Sequence, residues 1–127
     1  AKSGSGVELI TAPGRGFVEL VESDRESTPE AEQAVRDAVA VMLEHGADQI
    51  VLGCTHYPFL LPVLERVVAG RGVEIVDPSP AVARRVVQLL DRYGLHVDPA
   101  HRAEYTFRTF ADEAYCLRLE RKAQASL

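Results

Sequence analysis

Residues 49–58 read Gln49-Ile50-Val51-Leu52-Gly53-Cys54-Thr55-His56-Tyr57-Pro58. A short apolar run, Gln49 to Leu52, stops at a glycine, and a thiol, a hydroxyl and an imidazole follow before a proline. Beyond it, Leu60, Leu61, Leu64, Val67 and Val68 recur at the spacing of one helical face. The stretch therefore predicts strand, loop and helix in that order. Gly70 and Gly72 end the helix, and Val73-Glu74-Ile75-Val76 predicts a second strand. Two strands joined through a helix form the repeating unit of a parallel sheet.

The same alternation extends outward. Val7-Glu8-Leu9-Ile10 is a β-prone run closed by Pro13 and Gly14, and Phe17 to Glu22 is a short apolar-rich helix. Ser27 and Glu30 stand at capping-box spacing around Pro29, and Val35, Ala38, Val39, Met42 and Leu43 mark the helix they start, which Gly46 stops. After the turn Asp77-Pro78-Ser79-Pro80, the residues Val82, Val86, Leu89, Leu90 and Tyr93 mark another helix, stopped by Gly94. Glu104 to Phe110 alternates like a strand, and Ala111 to Lys122 reads as a helix. The order β-α-α-β-α-β-α-β-α predicts an α/β fold, a parallel-sheet layer with flanking helices. Residues 1–6 read as a flexible end, 7–100 as one α/β domain, and 101–127 as an additional strand and helix.

Composition narrows the function. The chain has 127 residues and a formal net charge of −5, which gives no electrostatic basis for binding nucleic acid or an anionic membrane. No apolar run approaches the roughly 20 residues that cross a bilayer. Two cysteines in unrelated contexts make no disulfide framework, so a reducing, cytoplasmic setting is expected. The chain opens on Ala1 with a linker-like AKSGSG, which reads as the cut end of a longer protein.

In parallel sheets, ligands bind where strands run into helices. Two such loops stand out, Gly53–Pro58 and Asp77–Pro80. Cys54 follows a strand and precedes a helix, whose N-terminus would favour a thiolate. Gly53 permits a tight turn and close approach of a ligand. Thr55 offers a hydroxyl and an N–H suited to a carboxylate, and His56 offers an imidazole, a side chain of the kind used to shuttle protons. Taken singly, each has a bland alternative: a buried cysteine packed as a small hydrophobe, a capping threonine, a solvent-facing histidine. Cys54 and His56 would need a second ligand pair at zinc-site spacing to hold a metal, and the sequence has none, so no metal is expected. Cys116 reads as a packing residue on its helix.

The whole string Leu52-Gly53-Cys54-Thr55-His56-Tyr57-Pro58 resembles the second catalytic-cysteine signature of the glutamate racemases, within the aspartate/glutamate racemase superfamily. Ala12-Pro13 with Phe17-Val18-Glu19-Leu20-Val21-Glu22, and Val76-Asp77-Pro78-Ser79 with Ala83-Arg84-Arg85-Val86, resemble flanking family segments. The likeness runs over residues 7–93. It departs from the family at Gly14 and Arg15, where a family cysteine is also absent. The resemblance implies the C-terminal portion of the enzyme: one lobe, plus part, of a two-domain racemase, with 101–127 packing on the lobe that is missing.

It also implies a chemistry. One thiolate removes the α-proton of glutamate and a second thiol returns a proton on the opposite face, with no cofactor. An α-proton is very weakly acidic and an ordinary thiol, with pKa ~8.5, is mostly protonated near neutrality, so fixed dipoles must stabilise the charge that develops. By resemblance Cys54 is the base facing L-glutamate, His56 assists its proton transfer, Glu22 tunes His56, and Thr55 with Gly53 binds substrate. The D-glutamate would serve peptidoglycan synthesis. The second cysteine and its neighbouring asparagine belong to the missing N-terminal half, since this chain contains no asparagine. That half and the substrate are the expected partners, with a homodimer left open. Two other readings stand beside this one: a superfamily racemase for a different amino acid, and a non-catalytic, truncated interaction module.

Overall fold

The computed structural model describes residues 6–110 and 112–125. Two compact units divide the chain, Ala1–Pro78 and Ser79–Leu127. The first contains α1 (Phe17–Glu22), α2 (Pro29–Glu44), β1 (Gln49–Val51), a 3₁₀ helix (Tyr57–Leu60), α3 (Leu61–Val68) and β2 (Glu74–Val76). The second contains α4 (Ser79–Tyr93) and α5 (Glu113–Gln124).

β1 and β2 pair in parallel, with Gln49 opposite Glu74, Ile50 opposite Ile75 and Val51 opposite Val76. The pairing continues one step through the Leu52 N–H, which donates to the Val76 carbonyl at 3.0 Å. Both strands thus end at the same level, and the chain enters the Gly53 loop and the Asp77 turn side by side. The architecture is the α/β arrangement expected, with a small parallel sheet flanked by helices.

The helices form where apolar side chains recur on one face and bury together. Phe17, Leu20 and Val21 of α1, Val35 and Val39 of α2, Ile50 and Leu52 around β1, and Leu60, Val63, Leu64, Val67 and Val68 around α3 make one core cluster. Ile50 points into it, while its neighbour Val51 is 63% exposed on the other side of the pleat. Gly16 starts α1 from a left-handed backbone, φ 77°, which glycine adopts at no steric cost. Gly46 closes α2 the same way, at φ 74°. There the Gly46 N–H donates to Leu43 and that of Ala47 to Met42, the Schellman pattern.

Four local expectations change. The N-cap of α2 is Thr28, not Ser27: Thr28 Oγ1 accepts from the Ala31 N–H at 3.3 Å and donates to the Arg25 carbonyl at 2.7 Å. Glu30, rather than closing a capping box, pairs with Arg25 at 2.8 Å. Thr28→Ala should therefore cost about 1 kcal/mol, measurable by urea denaturation, whereas Ser27→Ala should change little.

The β-prone runs at residues 7–10 and 104–110 do not become strands; Glu8 makes a single bridge and residues 104–109 are irregular. Strand propensity reflects packing against a neighbouring strand, and among the described residues neither run pairs into the β1–β2 sheet. The last helix runs from Glu113 to Gln124, and its expected first residue, Ala111, lies outside the described residues, as do residues 1–5 of the expected flexible end. In the second unit, α5 is capped by Asp112, whose carboxylate accepts from the Tyr115 N–H at 2.8 Å. No side chain of α4 or α5 is buried, and Val82, Val86, Val87 and Tyr93 of α4 are more than half exposed. Among the described residues no helix is long and apolar enough to cross a membrane.

Candidate active site

The loop after β1 carries the reactive groups, but the helix that follows is displaced from where the sequence put it. Pro62 lacks an N–H and its ring excludes a preceding helical turn, so it is tolerated only in the first turn of α3. The α-helix consequently begins at Leu61, and residues 57–60 wind as a 3₁₀ helix instead. The N-terminus expected beside Cys54 is therefore one 3₁₀ helix further along. What reaches Cys54 is a single turn bond, from the Tyr57 N–H to the Cys54 carbonyl at 3.1 Å.

The imidazole, instead, stands within reach of the thiol. Cys54 Sγ lies 3.9 Å from His56 Nδ1. On the other side of the ring, His56 Nε2 lies 3.2 Å from Glu22 Oε1, at the last residue of α1. Cys54 is half-buried, and the side chains of His56 and Glu22 are 27% and 30% exposed. A carboxylate accepts but cannot donate, so it favours the tautomer with hydrogen on Nε2. That leaves the Nδ1 lone pair facing the sulfur. A proton leaving the thiol has an acceptor within reach, and the imidazolium so formed would face a carboxylate. The arrangement is the general one of an activated nucleophile or base, its partner, and a third group that orients the partner.

The structure thus brings Cys54, His56 and Glu22 together. Thr55 and Gly53 flank the thiol along the chain and are exposed. Gly53 is not in the left-handed region, and a Cβ built on it would meet nothing within 4 Å. Its φ therefore does not itself require glycine, and the space where a side chain would sit is open. Cys116 lies half-buried on α5, in the second unit.

In the sequence Tyr57 counts only as a member of the Leu52–Pro58 string, yet in the structure it ties this loop to α1. Its ring meets that of Phe17 edge to face, with centroids 5.2 Å apart and planes at 72°. An aromatic at each end of the contact is the visible signal, but nothing local announces that the two will meet.

Residues 2–86 match the family model described as Asp/Glu/Hydantoin racemase. A glutamate racemase from a Roseiflexus species is 46% identical over 90 residues, which is 71% of this chain and 33% of that protein. One from Deinococcus radiodurans is 39% identical over 111 residues, 87% of this chain and 38% of that protein. Among solved structures, a glutamate racemase from Thermus thermophilus in complex with β-chloro-D-alanine aligns with a TM-score of 0.74 and 31% identity, over 93% of this chain and 45% of that one. The chain spans about a third of the length of these curated relatives. With the family model matching well over half of its residues, among them Glu22, Cys54 and His56, the chain belongs to the Asp/Glu/hydantoin racemase family.

Proposed function

We propose that the chain carries one half-site of a cofactor-independent glutamate racemase, with Cys54 as one of two thiol bases. The observation that carries the reading is the contiguous set Cys54 Sγ, His56 and Glu22, at 3.9 and 3.2 Å. Cys54, as thiolate, removes the α-proton of L-glutamate and becomes a thiol. The carbanion is then protonated on its opposite face by a second thiol, supplied by the part of the relatives' length that this chain does not span. In the reverse direction Cys54 returns the proton. His56 takes the thiol proton beforehand, and Glu22 holds the ring in the tautomer that can do so. Thr55, with the open space over Gly53, receives the substrate.

The reading extends to the setting. The product D-glutamate serves peptidoglycan synthesis, the enzyme is cytoplasmic, and the chain's partners are glutamate and the complementary half of the racemase, in one polypeptide or from another. The domain limits follow: residues 7–100 form the racemase-type domain, and 101–127 pack on the complementary lobe. The exposure of Tyr105, Phe110 and Leu117 supports that last assignment.

The test is α-proton exchange of L-glutamate in D₂O, followed by NMR, with this chain alone and with the purified complementary half. Deuterium should enter, with inversion, when both halves are present. Folded, associated halves that give no exchange would overturn the racemase reading in favour of a non-catalytic interaction module.

A further inference from the structure

Among the described glycines, Gly14 is the one whose missing side chain is used for packing. A Cβ built there would lie 2.6 Å from Phe17 Cδ2, 2.7 Å from Tyr57 Oη and 2.9 Å from Tyr57 Cζ. At every other described glycine the same construction meets nothing within 4 Å. Nor does Gly14 have the left-handed backbone that explains Gly16 and Gly46. Space, not φ, requires glycine at this position. The two rings that occupy that space belong to the first residue of α1 and to the residue directly after His56.

α1 therefore grips the loop at two points. Phe17, at its start, meets Tyr57, and Glu22, at its end, meets His56. A single contact would leave the loop free to pivot about it. Two contacts at opposite ends of a helix rising ~1.5 Å per residue fix both the position and the tilt of the imidazole. We propose that Gly14 is a positioning residue for His56: its bare backbone seats the Phe17–Tyr57 ring pair, and that pair sets how far α1 stands from the Cys54 loop. The importance given to His56 rests on the functional reading above; the positioning itself does not.

The distances say what a methyl group would do. Carbon contacts are comfortable at ~3.5–4.0 Å, so the rings would have to withdraw by roughly 1 Å. The Cys54–His56 contact, at 3.9 Å, has no such margin. The Tyr57 atoms met are at the far end of its ring, but the ring is held against Phe17; a shift that reaches the Tyr57 backbone moves the adjacent His56 relative to Glu22, to Cys54, or to both. The tautomer preference imposed by the carboxylate then weakens, and the thiol loses its acceptor.

The experiment uses the 127-residue chain in a Cys116→Ser background, so that Cys54 is the thiol that reports. Two readouts are taken at fixed pH: the ring ¹⁵N signals of His56, which distinguish its tautomers, and the rate of Cys54 alkylation by iodoacetamide. Gly14→Ala should mix the His56 tautomers and change the alkylation rate at least threefold. Thr28→Ala, which removes the cap of α2 and whose hydrogen bonds go to Arg25 and Ala31 rather than to either ring, should leave both as they were in the folded protein. Wild-type signals and rate in Gly14→Ala would overturn the proposal, and so would equal changes in Thr28→Ala. If Gly14→Ala does not fold, Phe17→Leu replaces it: the residue stays apolar, the edge-to-face contact is lost, and the same shifts are expected. Absence of racemisation with the complementary half would leave these readouts intact, so the two readings fail separately.

Discussion

Cys54→Ser, assayed with the complementary half present, should lose deuterium exchange into L-glutamate while keeping much of the exchange into D-glutamate. In a two-base mechanism each enantiomer presents its α-proton to one thiol. On the function proposed above Cys54 faces L-glutamate, so removing its sulfur removes the base for that enantiomer alone. A positioned general base contributes about 10²–10⁴-fold, and a loss of that size is expected on the L side. On the D side the other thiol still removes the proton and returns a deuteron to the same face, giving exchange without inversion. The measurement is the pair of exchange rates by NMR. Equal losses for both enantiomers would mean that the substitution had disturbed the whole site, and the assignment of Cys54 to one face would fall.

Leu60→Ala should be the most damaging single truncation in the first unit. Leu60 is fully buried, at 0% exposure, and sits where the 3₁₀ helix hands over to α3. Removing a buried leucine side chain costs about 2–5 kcal/mol through lost transfer energy and the cavity left behind. Small domains have only about 5–15 kcal/mol in total. The variant should therefore unfold at a markedly lower urea concentration, with its slope against denaturant unchanged. Val51→Ala is the matching control, because Val51 is 63% exposed and its truncation should stay within about 0.5 kcal/mol. A Leu60→Ala midpoint equal to that of Val51→Ala would show that the core is not organised around this junction.

Local periodicity alone makes much of this molecule legible. The apolar faces of α2 and α3, the glycine that stops α2 and the two short strands around the Cys54 loop all follow from residues near one another in sequence. Cys54 and His56 are legible together because they share one loop. What is not legible comes from partners distant along the chain. Residues 7–10 and 104–110 have strand-like side chains, but a strand requires a neighbour, and composition does not supply one. Glu22 can be named only through family resemblance, since nothing in Phe17–Glu22 reveals that the end of α1 reaches His56. Pro62 bars an α-helix running in through residue 58, its i−4 neighbour, yet the apolar spacing of Leu60 and Leu61 points to a plain helix. Gly14 reads as a simple turn glycine because its significance lies in two rings folded onto it.

The order in which the contacts close has a further meaning for the thiol. In the first unit α1 packs on α2, α2 on α3, and β1 on β2. The contact of α1 with the 3₁₀ helix spans the longest stretch of chain among these. Joining more distant segments costs more loop entropy, and contacts of that kind slow folding. Glu22 and His56 therefore meet through the most distant closure among these. Until that closure is made, no carboxylate faces the imidazole beside Cys54. The set of thiol, imidazole and carboxylate is thus a product of the finished fold, although two of its three members share one loop.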